Sequence, residues 1–285
     1  TLDPASGRAA IVVEANGGVP AMPAISDTTI TNSNGYGMAF ANSTHCRAAC
    51  NDNTIVGSRF SAVRMYANFI GRFGAGNTLA GNNVSATPGH EGVWVLGDTV
   101  DTTATWPDND VPYVVQGNVE IRRASPVEAP AVLTIEPGTE LRFASGRRLR
   151  VGDGNDGTLD ARGTSAQPIT FTSIDTVSPV FWRGIDFNQG SNGSVLDWVV
   201  VSHGGSGTDT GNVNFRSGSG VTVGVVDFTH SVHYAAVIYS GSAPMFTGSS
   251  TDRVYMLNGQ QSNPGPGDPA FDCVRDVAAS TCTQP

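Results

Sequence analysis

Between Val132 and Ser173 apolar and polar residues alternate in short bursts, each closed by a turn, and nothing in the stretch has a helical period. Leu133 and Ile135 form one burst, ended by Pro137-Gly138; Leu141 and Phe143 flank Arg142 in the next, ended by Ser145-Gly146. Leu149 and Val151 then alternate with Arg148 and Arg150, Leu159 and Ala161 with Asp160 and Arg162, and Ile169 and Phe171 with Thr170 and Thr172. A period of two places the aliphatic side chains on one face of a strand and the polar ones on the other. Ile135 and Leu159 are separated by about 24 residues, a spacing that predicts stacking in successive coils of a three-sided parallel solenoid.

The same unit recurs elsewhere. Ile30, Ile55 and Leu79 follow one another at nearly the same interval, and Ser33 with Ser58 and Met38 with Val63 share the offset that separates Ile30 from Ile55. A two-strand unit of this length cannot bury its apolar face alone and must stack on its neighbours. Late in the chain VVDFTHSVHYAAVIY has the shape of DTTITNSNGYGMAF, with Tyr234 standing where Tyr36 stands in the earlier segment. The acidic stretch 98–110, DTVDTTATWPDND, interrupts the spacing and reads as a bulging loop. The expectation is one continuous all-β solenoid of about 24–27 residues per coil, with N-terminal coils over 1–105, main coils over 106–250 and a cap over 251–285.

The segments LTIEPGTELRF, GTLDARGTSAQPITFTS, FWRGIDF, VLDWVVVSHGG and NTIVGS together resemble the right-handed parallel β-helix repeats of secreted bacterial lipoproteins and surface proteins, over roughly Thr28 to Ser250. The resemblance implies a right-handed single-stranded parallel β-helix on a bacterial surface or in its surroundings. It implies little about activity, because this scaffold carries lyases, hydrolases, esterases, tail spikes and adhesins alike. WPDNDVPYVVQGNVEI is similar to segments that open a fresh group of coils in such proteins.

Composition narrows the function classes. Thirty-five glycines suit a fold that turns every few residues. The net charge of -9 argues against a nucleic-acid backbone as partner. No run of eighteen apolar residues exists, so no membrane-spanning helix is expected. The chain opens at Thr1 with neither Met nor signal peptide, consistent with a processed or trimmed product. All sixteen basic residues are arginine, which removes any lysine base, Schiff base or lysine phosphate clamp. Four cysteines fall as two local pairs, Cys46 with Cys50 and Cys273 with Cys282; two disulfides formed in an oxidising compartment are expected, the second tying a cap over the last coil.

Two clusters carry candidate chemistry. The turn GDGNDGTLD brings Asp153, Asn155 and Asp156 together, an oxygen-ligand set for Ca²⁺ similar to one calcium-binding nonapeptide of repeat toxins, although a single copy also reads as a solvated turn. The second cluster joins Trp182, Arg183 and Asp186 to Asp197, Trp198 and His203, with Asp227, His230 and His233 about one coil later. The interval from His203 to His230 is itself close to one coil, which places the two on adjacent rungs. Carboxylates beside histidines on an exposed sheet would suit acid–base work or glycan binding, whereas the structural alternative stacks the aromatic rings in the core and puts the histidines at strand ends. GVVDFTHS faintly resembles a pectin methylesterase segment and SHGG partly echoes a polygalacturonase motif, but neither catalytic set is complete. Arginines crowd the middle of the chain, at 122, 123, 142, 147, 148, 150 and 162, and their alternation with aliphatics predicts an outward ion-pair ladder beside Glu120, Glu140 and Asp160, or else a patch for an anionic glycan. The expected function is a non-enzymatic extracellular structural or adhesive module that self-associates into filaments, with no cofactor except the candidate Ca²⁺. The alternative is a carbohydrate-active or glycan-binding β-helix using Asp186, Asp197, His203, Asp227 and His230.

Overall fold

In the computed structural model, residues 9–86, 91–176, 181–207, 210–248, 253–256, 258 and 272–284 are described. The alternating bursts form short strands, and each pairs in parallel with the strand one coil before and one coil after, which produces three walls around a single core. The longest wall has ten strands, beginning Ala9–Val13, Tyr36–Phe40, Val63–Tyr66, Val93–Leu96 and Tyr113–Val115 and continuing through Glu140–Phe143, Ile169–Ser173, Val199–Ser202 and Val226–Thr229 to Arg253–Met256. An eight-stranded wall begins at Asp98–Val100 and a six-stranded wall at Ala104–Trp106. The chain is therefore a parallel β-helix, as the alternation predicts.

Inside, each column of side chains repeats one position from rung to rung. Tyr113, Leu141, Phe171, Val201 and Phe228 stack on the inner face of the ten-stranded wall, and all are at most 1% exposed. Val119, Leu149, Ile185, Val213 and Ala236 do the same on the eight-stranded wall. Each such Val, Leu, Ile or Phe side chain contributes roughly 1.5–3 kcal/mol on burial.

Several registers agree with the sequence spacing and several correct it. Ile30 lies opposite Ile55 and Met38 opposite Val63. Leu159, however, lies opposite Leu133, and Ile135 lies opposite Ala161. The shift is two residues, which keeps every side chain on its face, so the core assignment holds while the pairing moves. Coil length also varies more widely than the spacing predicts: the coil from Val93 to its partner Tyr113 is shorter than the expected range, and that from Ala236 to its partner Val274 is much longer. Only the strands are held in register, and the corners between them absorb differences in length at small entropic cost. The stretch 98–110 is not a bulging loop. It supplies the first strands of two walls, with Val100 and Trp106 fully buried. The likeness of the early and late segments also fails in space, because Tyr36 lies on the ten-stranded wall and Tyr234 opens a strand, Tyr234–Ile238, on the eight-stranded one.

Buried asparagines close several corners. The Asn53 side chain accepts from Thr28 N–H at 3.1 Å, while Asn53 donates from both its backbone N–H and its side-chain amide to Asn77 Oδ1, each at 3.0 Å. Such stacked amides satisfy backbone groups that leave the ladder at a turn. Cys46–Cys50 and Cys273–Cys282 are both bonded, with Cα–Cα separations of 5.7 and 5.5 Å. The second bridge closes an antiparallel hairpin, Val274–Asp276 against Thr281–Thr283, at the end of the eight-stranded wall. No helix among the described residues is long and apolar enough to cross a membrane.

Replacing fully buried Leu159 by Ala is expected to cost about 2–5 kcal/mol. Thr134→Ala, on the outer face of the same wall, should stay within about 0.5 kcal/mol. Guanidinium denaturation of the two variants checks the assignment of faces.

Candidate functional site

His203 follows the strand Val199–Ser202 and His230 follows Val226–Thr229, and Ser202 pairs directly with Thr229. Both histidines take a left-handed backbone, with φ of 57° and 54°, as the chain turns out of the ten-stranded wall. The two turns superpose on adjacent rungs, so the imidazoles stack with centroids 4.9 Å apart and planes 11° from parallel. The predicted adjacency and the strand-end placement both hold. His203 Nδ1 lies 3.0 Å from Ser202 Oγ and 3.3 Å from Thr172 Oγ1, and the two hydroxyls are 2.8 Å apart. Trp182 anchors the corner from within: its Nε1–H donates to the Ser202 carbonyl at 2.8 Å and its ring stacks on Phe143 at 4.2 Å.

The electrostatics follow from this packing. Burial pushes the His203 imidazole down to about 4, with the neighbouring His230 adding to the fall and Asp175 opposing it. Burial also lowers His230. Asp227 moves the other way, raised by burial alone. Both rings are thus held neutral, and a neutral ring against hydroxyls is a hydrogen-bonding corner rather than a charged one.

The carboxylates do not converge with the histidines in one groove. Asp186 lies on the eight-stranded wall, Asp197 on the six-stranded wall and Asp227 on the ten-stranded wall. Asp186 is buried between Arg216, whose Nη2 is 3.2 Å away, and Arg148 at 3.7 Å. Asp197 accepts the Val225 backbone N–H at 2.9 Å and so caps the next corner. Trp182 is in the core as expected, but Trp198 is 38% exposed at a left-handed corner with φ of 51°.

In the candidate calcium turn the two acids are held apart by different arginines. Asp153 pairs with Arg150 at 2.8 Å and Asp156 with Arg123 at 2.6 Å, while Asn155 is half-buried beside them. Among the described residues no group of three or more His, Cys, Asp or Glu side chains is placed to hold a metal ion. The outward ladder takes the predicted form. Glu120 faces Arg150 across the strands and Arg150 faces Asp186, with Arg122 on Glu120 at 3.2 Å and Arg142 on Glu140 at 2.9 Å. Apart from buried Asp186 these groups are partly solvated, and each exposed pair contributes about 1 kcal/mol or less.

Sequence reasoning passed over Thr172 and Ser202, whose hydroxyls meet His203, and also Arg64 on the outer face of Val63–Tyr66. The offset that relates Met38 to Val63, extended by one position, puts Arg64 beside Ala39, and that signal was available. The chain matches no known protein family, no curated protein and no solved structure.

The depressed histidines fix a sign for stability. An unfolded histidine takes up its proton near 6.5 while folded His203 resists until about 4, so its contribution is whole above pH 6.5 and is lost as pH falls toward 4. Discounted for partial solvent screening, the loss is on the order of 2 kcal/mol. Thermal melts across this window should show it, and His203→Asn, which tolerates a left-handed backbone, should flatten the dependence.

Proposed function

We propose that the protein is a non-enzymatic structural and adhesive module that works outside the cell. One observation carries the reading: the three candidate carboxylates lie on three different walls, and Asp186, Asp197 and His203 are each engaged by neighbouring coils. Asp186 neutralises two arginines, Asp197 caps a corner and His203 is packed beneath hydroxyls. Glycoside hydrolysis in its usual form needs two carboxyl groups on opposite sides of one bond, within about 10 Å of each other. The extracellular assignment is supported by the disulfides, which pair all four cysteines.

Self-association would run through the longest wall. Its terminal strands, Ala9–Val13 and Arg253–Met256, each have one neighbour among the described residues, so a second copy can add to either edge in parallel register. The eight-stranded wall ends instead in its antiparallel hairpin, which directs contact away from that edge.

Negative-stain microscopy from dilute to concentrated protein tests the proposal. Short rods that join end to end as concentration rises are expected, with no unsaturated or reducing products from a panel of acidic polysaccharides. Release of such products would sink the non-enzymatic reading, and isolated rods at every concentration would remove the self-association. Val13 accepts the Ala41 N–H at 2.9 Å, so strand alternation turns the Val12 N–H toward the open edge. Val12→Pro should therefore abolish the joining while changing stability by about 1 kcal/mol or less.

A further inference from the structure

Arg64 is a charged side chain that its surroundings leave unanswered. It lies on the outer face of Val63–Tyr66, between core residues Val63 and Met65, with Ala39 opposite on one neighbouring strand and Trp94 opposite on the other. Only 8% of it is exposed. Its Nε is sealed from solvent without a hydrogen-bond partner, and among the described residues the guanidinium makes no ion pair. The contrast within the chain is sharp, because seven other arginines, those at 122, 123, 142, 148, 150, 162 and 216, all reach a carboxylate. Glu14 is the acid that shares a cavity with Arg64, yet no carboxylate of the described residues comes within 4.0 Å of the guanidinium. A largely buried cation without a close counter-charge is costly, so Arg64 is poised for an anion from outside.

The place for that anion is beside it. Arg64 lines a cavity of about 270 Å³ together with Tyr66, Ala41, Asn42, Glu14 and Ala15. Ala41, which follows the strand Tyr36–Phe40 and carries only a methyl group, lines the hollow with the polar side chains of Glu14, Asn42 and Tyr66. We propose that this cavity binds the carboxylate of a sugar acid, with Arg64 as the carboxylate-gripping residue.

Charge and shape select this class over other anions. Glu14 shares the cavity and opposes any anion, but it opposes a dianionic phosphate about twice as strongly as a singly charged carboxylate, so the pair of charges favours the monoanion. The carboxylate of Glu14 and the amide of Asn42 are partners for ring hydroxyls, and Tyr66 offers an aromatic face and a hydroxyl at the rim. The volume is that of a single monosaccharide unit rather than an extended chain. This site is separate from the histidine corner but adjoins the end of the edge strand Ala9–Val13 at Glu14 and Ala15, so binding is measured on dilute protein, where the rods are single.

Titration calorimetry with glucuronate and galacturonate, as monomers and trimers, tests the site, with glucose, acetate and inorganic phosphate as the other arms. The sugar acids should bind, while glucose and phosphate should not and acetate should bind more weakly than either acid. Arg64→Gln should weaken binding roughly tenfold or more. Glu14→Gln, which removes a like charge, should tighten it by about threefold. Arg64→Gln should also leave the melting temperature unchanged or raised, since it removes an unpaired buried charge; a large fall would mark Arg64 as structural and overturn the proposal. Absence of sugar-acid binding by the wild-type protein, unchanged affinity in Arg64→Gln, or equal binding of phosphate would each overturn it as well.

Discussion

Parallel hydrogen bonding between successive rungs is the constraint on which everything else in this molecule rests. Once Leu133 is set opposite Leu159 and Leu141 opposite Phe171, every side chain along those strands is assigned to the core or to solvent. A slip of one residue would exchange the two faces, putting Asp160 and Arg162 inside and Leu159 outside. A slip of two would keep the faces and disturb only the corners. The rung register therefore protects the hydrophobic column strongly and the loop geometry weakly.

Corners are where the chain shows individual character. The left-handed positions at His203, His230 and Trp198 occur where one wall gives way to the next, and most of the other non-glycine examples are Asn or Asp, residues that tolerate this backbone. Buried amides such as Asn53 and Asn77 repair the hydrogen bonding that a corner interrupts. The stacked histidines make an unusual version of the same device, since two rings on consecutive rungs fill a corner that amides fill elsewhere. The chemistry of that corner follows from its packing, because burial keeps the rings neutral.

The fold was legible in the sequence because a period of two is a local signal, and local signals survive without knowledge of the partner strand. Leu133, Leu141, Leu149, Leu159 and Ile169 could all be placed inside on alternation alone. Register was harder, since Ile135 and Leu159 share parity whether they pair or lie two residues apart, and the variable corners spoil any fixed spacing. The strands at Asp98–Val100 and Ala104–Trp106 were hidden because acidic residues and a proline flank two short apolar clusters. Function was less legible still. Asp186, Asp197 and Asp227 look alike in sequence, yet they face three directions, and the isolation of Arg64 is a property of what is missing around it in space.

The three walls begin at different places along the chain. From Ala9 to Leu96 the described strands form the ten-stranded wall and one two-stranded pair, and the full triangular section starts only with Asp98–Val100 and Ala104–Trp106. The opposite end is fastened by a disulfide-closed hairpin. Drawn as a beam, the molecule has three laddered walls in one section and, in the other, one laddered wall whose remaining sides are tied by turn-to-turn bonds such as Asn32 N–H to the Val56 carbonyl and Gly57 N–H to the Gly81 carbonyl, each at 3.0 Å. A pull along the axis is therefore shared by three continuous ladders in the first section and by one ladder and scattered turn-to-turn bonds in the second.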